Sequence, residues 1–357
     1  MRLWDLPGAR RFVDSTCDLL RSGSSVVVRF PGAIPDGFED AVGATLGNAL
    51  QIGRLAVTSR PLDDLARQYS GHPDHIRRLP DLCEEAGFRG RLVIPYGFDG
   101  INWPIWRDFL GTYAQASRSR SLLGRSLFLV MLDGVPPPDP PLADVGLAVS
   151  DWDGVLDDVD LLLFASEHMR DRGLHPLQRS LFATTVARVA AWDFETAAAL
   201  AGEDDRTIMN PVELLRAVAH DRCWTTDTPL DWQLGTASRA GLAHPARAAL
   251  DNPSSDLCRR LWSAQLAVLL PWIEERRHEI VSSNLFEVKR QMRAAGDGQG
   301  DPFALELGEL FTLFLRRGAD RRVRKTVGRL RDVRNELAHR RHLPFQKVES
   351  LIEKVLL

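Results

Sequence analysis

The chain has 357 residues, 44% hydrophobic and 26% charged, with a net charge of -3. That length suits two or three domains, and the composition excludes a disordered chain. The near-neutral balance excludes a polybasic protein, so any attraction for nucleic acid must be local.

In chain order, short apolar runs bounded by Gly, Pro and Asp predict strands at Ser25–Phe30, Gly53–Ser59, Arg91–Pro95, Ser126–Asp133, Val145–Ser150 and Asp160–Ala165. Helices are predicted between them at Phe38–Ala49 and Trp103–Ser117. Strands alternating with helices, and apolar enough to be buried on both faces, imply a mostly parallel sheet. The Pro-rich run 136–141 is expected to be a stiff loop, since each Pro fixes φ and removes a donor.

From Pro176 onward the pattern is helical. Leu177–Leu200 and Pro211–His220 read as helices, and Trp224–Pro253 as a mixed connector. Asp256–Ser283 reads as one long amphipathic helix, capped by Ser254 or Ser255 and bent at Pro271. After a Gly-rich break at 296–301, Phe303–Arg317, Asp320–Arg341 and Pro344–Leu357 complete a four-helix bundle punctuated by Gly318 and Pro344. The expected organisation is an α/β domain over 1–175, a helical connector over 176–253 and a helical bundle over 254–357. The apolar stretch Leu261–Glu274 is expected to pack in the core, with some of it against a second subunit.

The four cysteines, Cys17, Cys83, Cys223 and Cys258, are scattered and form no C-x-x-C pair. That pattern argues against structural zinc and against a disulfide framework, and it fits a reducing cytoplasm. Met1–Arg11 carries Asp5 and lacks an apolar h-region, so a signal peptide is not expected. No stretch reaches the roughly 18 apolar residues of a membrane helix. His72 and His75 form H-x-x-H with no nearby third ligand, so no metal is expected there.

The element order of residues 20–165 resembles a degraded P-loop ATPase of the AAA/STAND kind. A first strand leads into a Pro-Gly loop and a helix, RLVIPYGFDG sits at the Walker B place, and SLFLVMLDG at the sensor place. A Walker A loop needs backbone amides around the phosphates, a Lys on the terminal phosphates and a hydroxyl on magnesium. Here the loop is Pro31-Gly32-Ala33-Ile34-Pro35-Asp36-Gly37-Phe38, and the first Lys of the chain is Lys289. Conventional ATP hydrolysis and a bound cofactor are therefore not expected. Asp99 is expected to be a loop carboxylate rather than a magnesium ligand, and Asp133-Gly134 and Asp151–Gly154 to be strand-end turns.

The helix from Asp320 has apolar residues at Val323, Val327, Leu330, Val333 and Leu337, one buried stripe by helical spacing. The rest carries nine basic residues against Asp320, Asp332 and Glu336, a local excess of about six charges that attracts phosphates. Neighbouring acids such as Glu306 and Glu309 offer an alternative use for that face. Within it runs Arg334-Asn335-Glu336-Leu337-Ala338-His339. The run and its helical setting resemble the signature of a HEPN domain over residues 256–357.

The resemblance implies Arg334, Asn335 and His339 as catalytic residues. Arg331, Arg340 and Arg341 are candidate phosphate contacts. It further implies a homodimer that pools two copies of the motif. Metal-independent RNA cleavage needs a proton acceptor for the attacking 2′-hydroxyl and a donor for the leaving oxygen, which His suits near neutral pH. It also needs a cation on the crowded phosphorane, which Arg provides bidentately. Asn335 and His339, at i and i+4, share a helix face. The resemblance implies an anti-phage or conflict-system component with a HEPN-like endoribonuclease, with RNA and other defence proteins as partners. The alternative is a non-catalytic scaffold that uses the same bundle to bind protein. His342 is expected at the surface.

Overall fold

The computed structural model describes residues 1–47, 50–121, 124–134, 146–251, 255–296, 299–315 and 320–356. The proline run, Ser254, Gly318 and part of the Gly-rich break lie outside the described residues. The chain packs into two compact units: Met1–Asp160 with Thr228–His244, and Leu161–Asp227 with Pro245–Leu357.

The first unit holds a five-stranded sheet in the order β2-β3-β4-β1-β5. The strands are β1 (Ser25–Phe30), β2 (Gln51–Ala56), β3 (Arg91–Tyr96), β4 (Leu127–Asp133) and β5 (Leu147–Asp151). All pairings are parallel, with Val26 opposite Leu129 and Arg29 opposite Asp151. β1 and β4 are buried along nearly their whole length, as strands covered on both faces must be. Helices α3 (Pro61–Tyr69), α4 (Leu79–Glu84) and α5 (Asn102–Ser117) build a core with one face around Trp103, Trp106, Tyr113 and Phe128. Two buried aromatic groups there find backbone acceptors: Trp106 Nε1 donates to Thr58 O at 2.8 Å and Tyr113 Oη to Ser126 O at 2.8 Å. Helices α1 (Pro7–Arg21) and α2 (Phe38–Leu46) pack together, and α1 lies against β1.

The second unit is helical. Its amino-terminal part holds α7 (Pro176–Ala190), α8 (Phe194–Gly202), α9 (Asp205–Met209) and α10 (Val212–Asp221). Then come α11 (Pro245–Ala248), α12 (Ser255–Ser283), α13 (Leu285–Ala294), α14 (Leu307–Leu315), α15 (Arg321–Ala338) and α16 (Phe345–Leu356). α12 packs on both α7 and α15, and α15 on α14 and α16, so the expected connector helices and the bundle share one core. α12 continues through Pro271, which is exposed, as is Ala267, whose carbonyl the proline cannot bond.

Val327, Leu330, Val333 and Leu337 are buried, and Val323 is half-buried. Each such side chain contributes roughly 1.5–3 kcal/mol on burial, more than any exposed ion pair, so this stripe sets the rotation of α15. Gly328 lies where α15 meets α14: a Cβ there would come within 3.0 Å of the Phe311 ring.

Four expectations are corrected. Asp160–Ala165 is helix, inside α6 (Asp158–Met169), because Asp157 Oδ1 accepts the amides of Val159 and Asp160 and starts a helical turn. Leu161, Phe164 and Ala165 are buried while Leu162 and Leu163 are exposed, which is a helical period that a short apolar run conceals. Leu177–Leu200 is two helices, broken where Ala191 takes φ 62° and Asp193 caps α8 through Thr196 N at 2.9 Å. The bundle has a further helix, α13, and residues 228–244 of the expected connector pack with the sheet.

Candidate functional site

Open parallel sheets bind ligands beyond the carboxyl ends of their strands, where the order of crossovers reverses. Here that place adjoins β1 and β4. The loop after β1 is held by aromatic packing: Trp4 Nε1 donates to Asp36 O at 2.8 Å. Trp4, Phe12, Phe30, Phe38 and Trp152 form one ring cluster. The first turn of α2 carries Glu39 and Asp40, which oppose an anion at its amino terminus.

A strap from Thr228 to His244 lies over the same strand ends. Gly32 N donates to Gln233 O at 3.1 Å. Gly32 and Gly235 meet backbone to backbone, so a Cβ on Gly235 would sit 3.2 Å from Gly32 Cα. Arg29 on β1 makes a bidentate pair with Asp151 on β5 at 2.6 and 2.7 Å. Arg239 of the strap joins Asp151 at 2.8 Å and stacks over Trp232 at 4.3 Å, with Arg29 at 5.9 Å from the same ring. The strap is thus bonded to the loop after β1 through Gly32 and to β5 through Asp151.

The other sequence candidates of this unit have structural partners. Asp99 Oδ1 accepts the amides of Ile101 and Asn102 at 2.8 and 2.7 Å and so caps α5. Asp133 ends β4 exposed, and Asp153 accepts Arg239 N. His72 and His75 stack on each other at 5.6 Å. Among the described residues no group of three or more His, Cys, Asp or Glu is placed to hold a metal ion. The four cysteines are free; burial pushes the Cys17 thiol up to about 11 and raises that of Cys83.

The helical unit places the HEPN-like run at the carboxyl end of α15. Asn335 and His339 are exposed, and His339 is the C-cap, its amide donating to Asn335 O at 3.0 Å. Arg340 follows at φ 58°, in the left-handed region that ends helices. Arg334 is half-buried and paired with Glu306 at 3.1 Å. Arg331 pairs with Asp332 at 3.0 Å and stacks on Phe311 at 4.1 Å. Arg340 lies 5.9 Å over Trp262, and Arg341 is 3.7 Å from Glu336. Lys347 donates to Glu336 at 3.0 Å; that bond and its charge, with Arg341 and His339 nearby, hold the Glu336 carboxyl below its ordinary range.

α15 and the turn after it are fastened to α12. Trp262 Nε1 donates to Leu337 O at 2.7 Å. Gln265, fully buried, donates to Leu343 O at 2.9 Å and accepts from Leu343 N at 2.6 Å. Sequence reasoning missed this clamp, although a lone Gln in the apolar run of α12 was its signal. His342, after the motif, is half-buried, and burial pushes the pKa of its imidazole down.

No family model matches the chain, nor does any curated protein or any solved structure. Among the described residues no helix is long and apolar enough to cross a membrane.

Proposed function

We propose that this protein is a component of a bacterial conflict or anti-phage system whose helical unit cleaves RNA without a metal, as the HEPN domain it resembles does. The observation that carries this reading is the placing of Asn335 and His339 in solvent beside Arg334, at a helix end pinned by Trp262 and Gln265. One copy offers a single imidazole, so the reading requires two copies facing one RNA phosphate. One His339 takes the 2′-hydroxyl proton as the 2′-oxygen bonds to phosphorus; the other protonates the leaving 5′-oxygen. The products are a 2′,3′-cyclic phosphate and a free 5′-hydroxyl. Arg334 stabilises the charge on the pentavalent phosphorus. Its exposed pair with Glu306 is worth at most about 1 kcal/mol and is readily exchanged for phosphate.

The first unit supports the other half of the reading. Its all-parallel sheet, in the order 5-1-4-3-2 read from the β5 edge, agrees with the element order by which it resembles a degraded AAA/STAND domain, yet the loop after β1 lacks Lys and hydroxyl. The unit then serves as a sensor or docking body rather than a conventional ATPase.

The pairing of Arg334 with Glu306 also favours a second reading, a non-catalytic scaffold whose motif only ties helices together. Incubation of the purified chain with labelled RNA in excess EDTA separates the two. Nuclease function predicts cleavage that His339→Ala and Arg334→Ala abolish without unfolding the protein. Absence of cleavage by the wild-type chain, or its survival in His339→Ala, would leave the scaffold.

A further inference from the structure

The turn joining α15 to α16 has a second face. Beside it, α9, α10 and α16 enclose a groove of about 440 Å³, within the size range of small-molecule sites. Its lining includes Arg206, Asn210, His342, Phe345 and Gln346. The uncharged polar groups of this set are uncommitted: neither the ring nitrogens of His342 nor the carboxamides of Asn210 and Gln346 form a side-chain hydrogen bond among the described residues, while Arg206 lies near Asp204. Phe345 is half-buried, leaving part of its ring open to the groove. Arg206 is exposed and forms no salt bridge among the described residues.

These groups define the occupant. A hydrocarbon chain would leave three hydrogen-bonding side chains dry and unpaired. A bare polyanion would meet Glu213, which shares the lining. A planar ring with donors and acceptors along its edge and a negative charge on its substituent satisfies all five. We propose that this groove binds a nucleobase, with Phe345 stacked on its face, Asn210, His342 and Gln346 on its edge, and Arg206 on the attached phosphate. The inference rests on the RNA reading above and adds to it. A single strand crossing the His339 turn seats one unstacked base here, three residues along the chain.

Fluorescence anisotropy of the full-length chain with a short labelled 2′-O-methyl RNA tests this, because such a strand has no attacking hydroxyl and reports binding alone. Phe345→Ala is expected to raise Kd by about tenfold, the usual worth of one stacked base. Asn210→Ala, on an exposed residue whose side chain makes no bond, is expected to raise Kd with an unchanged melting temperature. An abasic strand of equal length should bind wild type as weakly as the full strand binds Phe345→Ala. Competition by nucleoside monophosphates distinguishes a free nucleotide from a strand as the source of the base; either supports base recognition. Unchanged affinity in both variants, equal affinity for the abasic strand, or no binding of strand or monophosphates overturns the proposal. A chain that binds through the groove but cleaves nothing refutes the nuclease and keeps the groove; cleavage with Phe345→Ala binding like wild type does the reverse.

Discussion

Gln265 and Leu343 exchange two hydrogen bonds, at 2.9 and 2.6 Å, between the middle of α12 and the turn that follows α15. The side-chain amide stands in for a strand partner, satisfying a backbone amide and carbonyl that the turn buries. The same turn begins at His339 and includes His342, so one buried side chain helps to position both candidate sites.

Removing that amide strands both backbone groups. Gln265→Leu should therefore cost roughly 2–6 kcal/mol, since each unpaired buried group costs about 1–3 kcal/mol. Urea denaturation measures it. A loss under about 0.5 kcal/mol would mean that the turn is not held by this clamp.

Glu306 restrains Arg334 through one exposed pair at 3.1 Å. Glu306→Gln should change stability by less than about 1 kcal/mol. It should also tighten RNA binding, because a cation is released and an anion removed from the motif face. Weaker binding, measured by anisotropy at low salt, would show that Glu306 serves the site directly.

Gly235 has φ 71° and faces Gly32 at backbone distance. Gly235→Ala adds a strained conformation and a methyl group 3.2 Å from Gly32 Cα, and is expected to cost about 1–3 kcal/mol. Since the loop after β1 has no Lys and is bonded to the strap, ATP with magnesium should leave the melting temperature of the wild-type chain unmoved. A rise of several degrees with ATP would show that nucleotide displaces the strap.

His342 gives a pH prediction. Burial holds its folded-state pKa below the unfolded value, so as pH falls the unfolded chain takes up the proton first. The stability linked to it is intact above about pH 6.5 and is lost as pH drops below that value toward the lower folded pKa. His342→Asn should therefore lose less melting temperature between neutral pH and about pH 5 than wild type does. Parallel melting curves over that window would remove His342 from the acid response.

Much of the sheet was legible because β1 and β4 are continuous apolar runs ended by Pro, Gly or Asp, and burial on both faces demands that pattern. The α15 stripe was legible because Val327, Leu330, Val333 and Leu337 repeat at helical spacing. α6 was misread because five consecutive apolar residues suit either structure, and the deciding Asp157 cap acts through local backbone geometry.

The amino-acid order by itself determined the strands β1 and β4, the stripe of α15, the absence of lysine before Lys289, and the R-N-x-x-x-H spacing. These depend on local sterics, side-chain period and residue chemistry. Only the tertiary structure decided that residues 228–244 return to cover β1, that Glu306 meets Arg334, and that Gln265 reaches Leu343. Those partners lie far apart along the chain, and what joins them is the packing of whole elements, which no local pattern encodes.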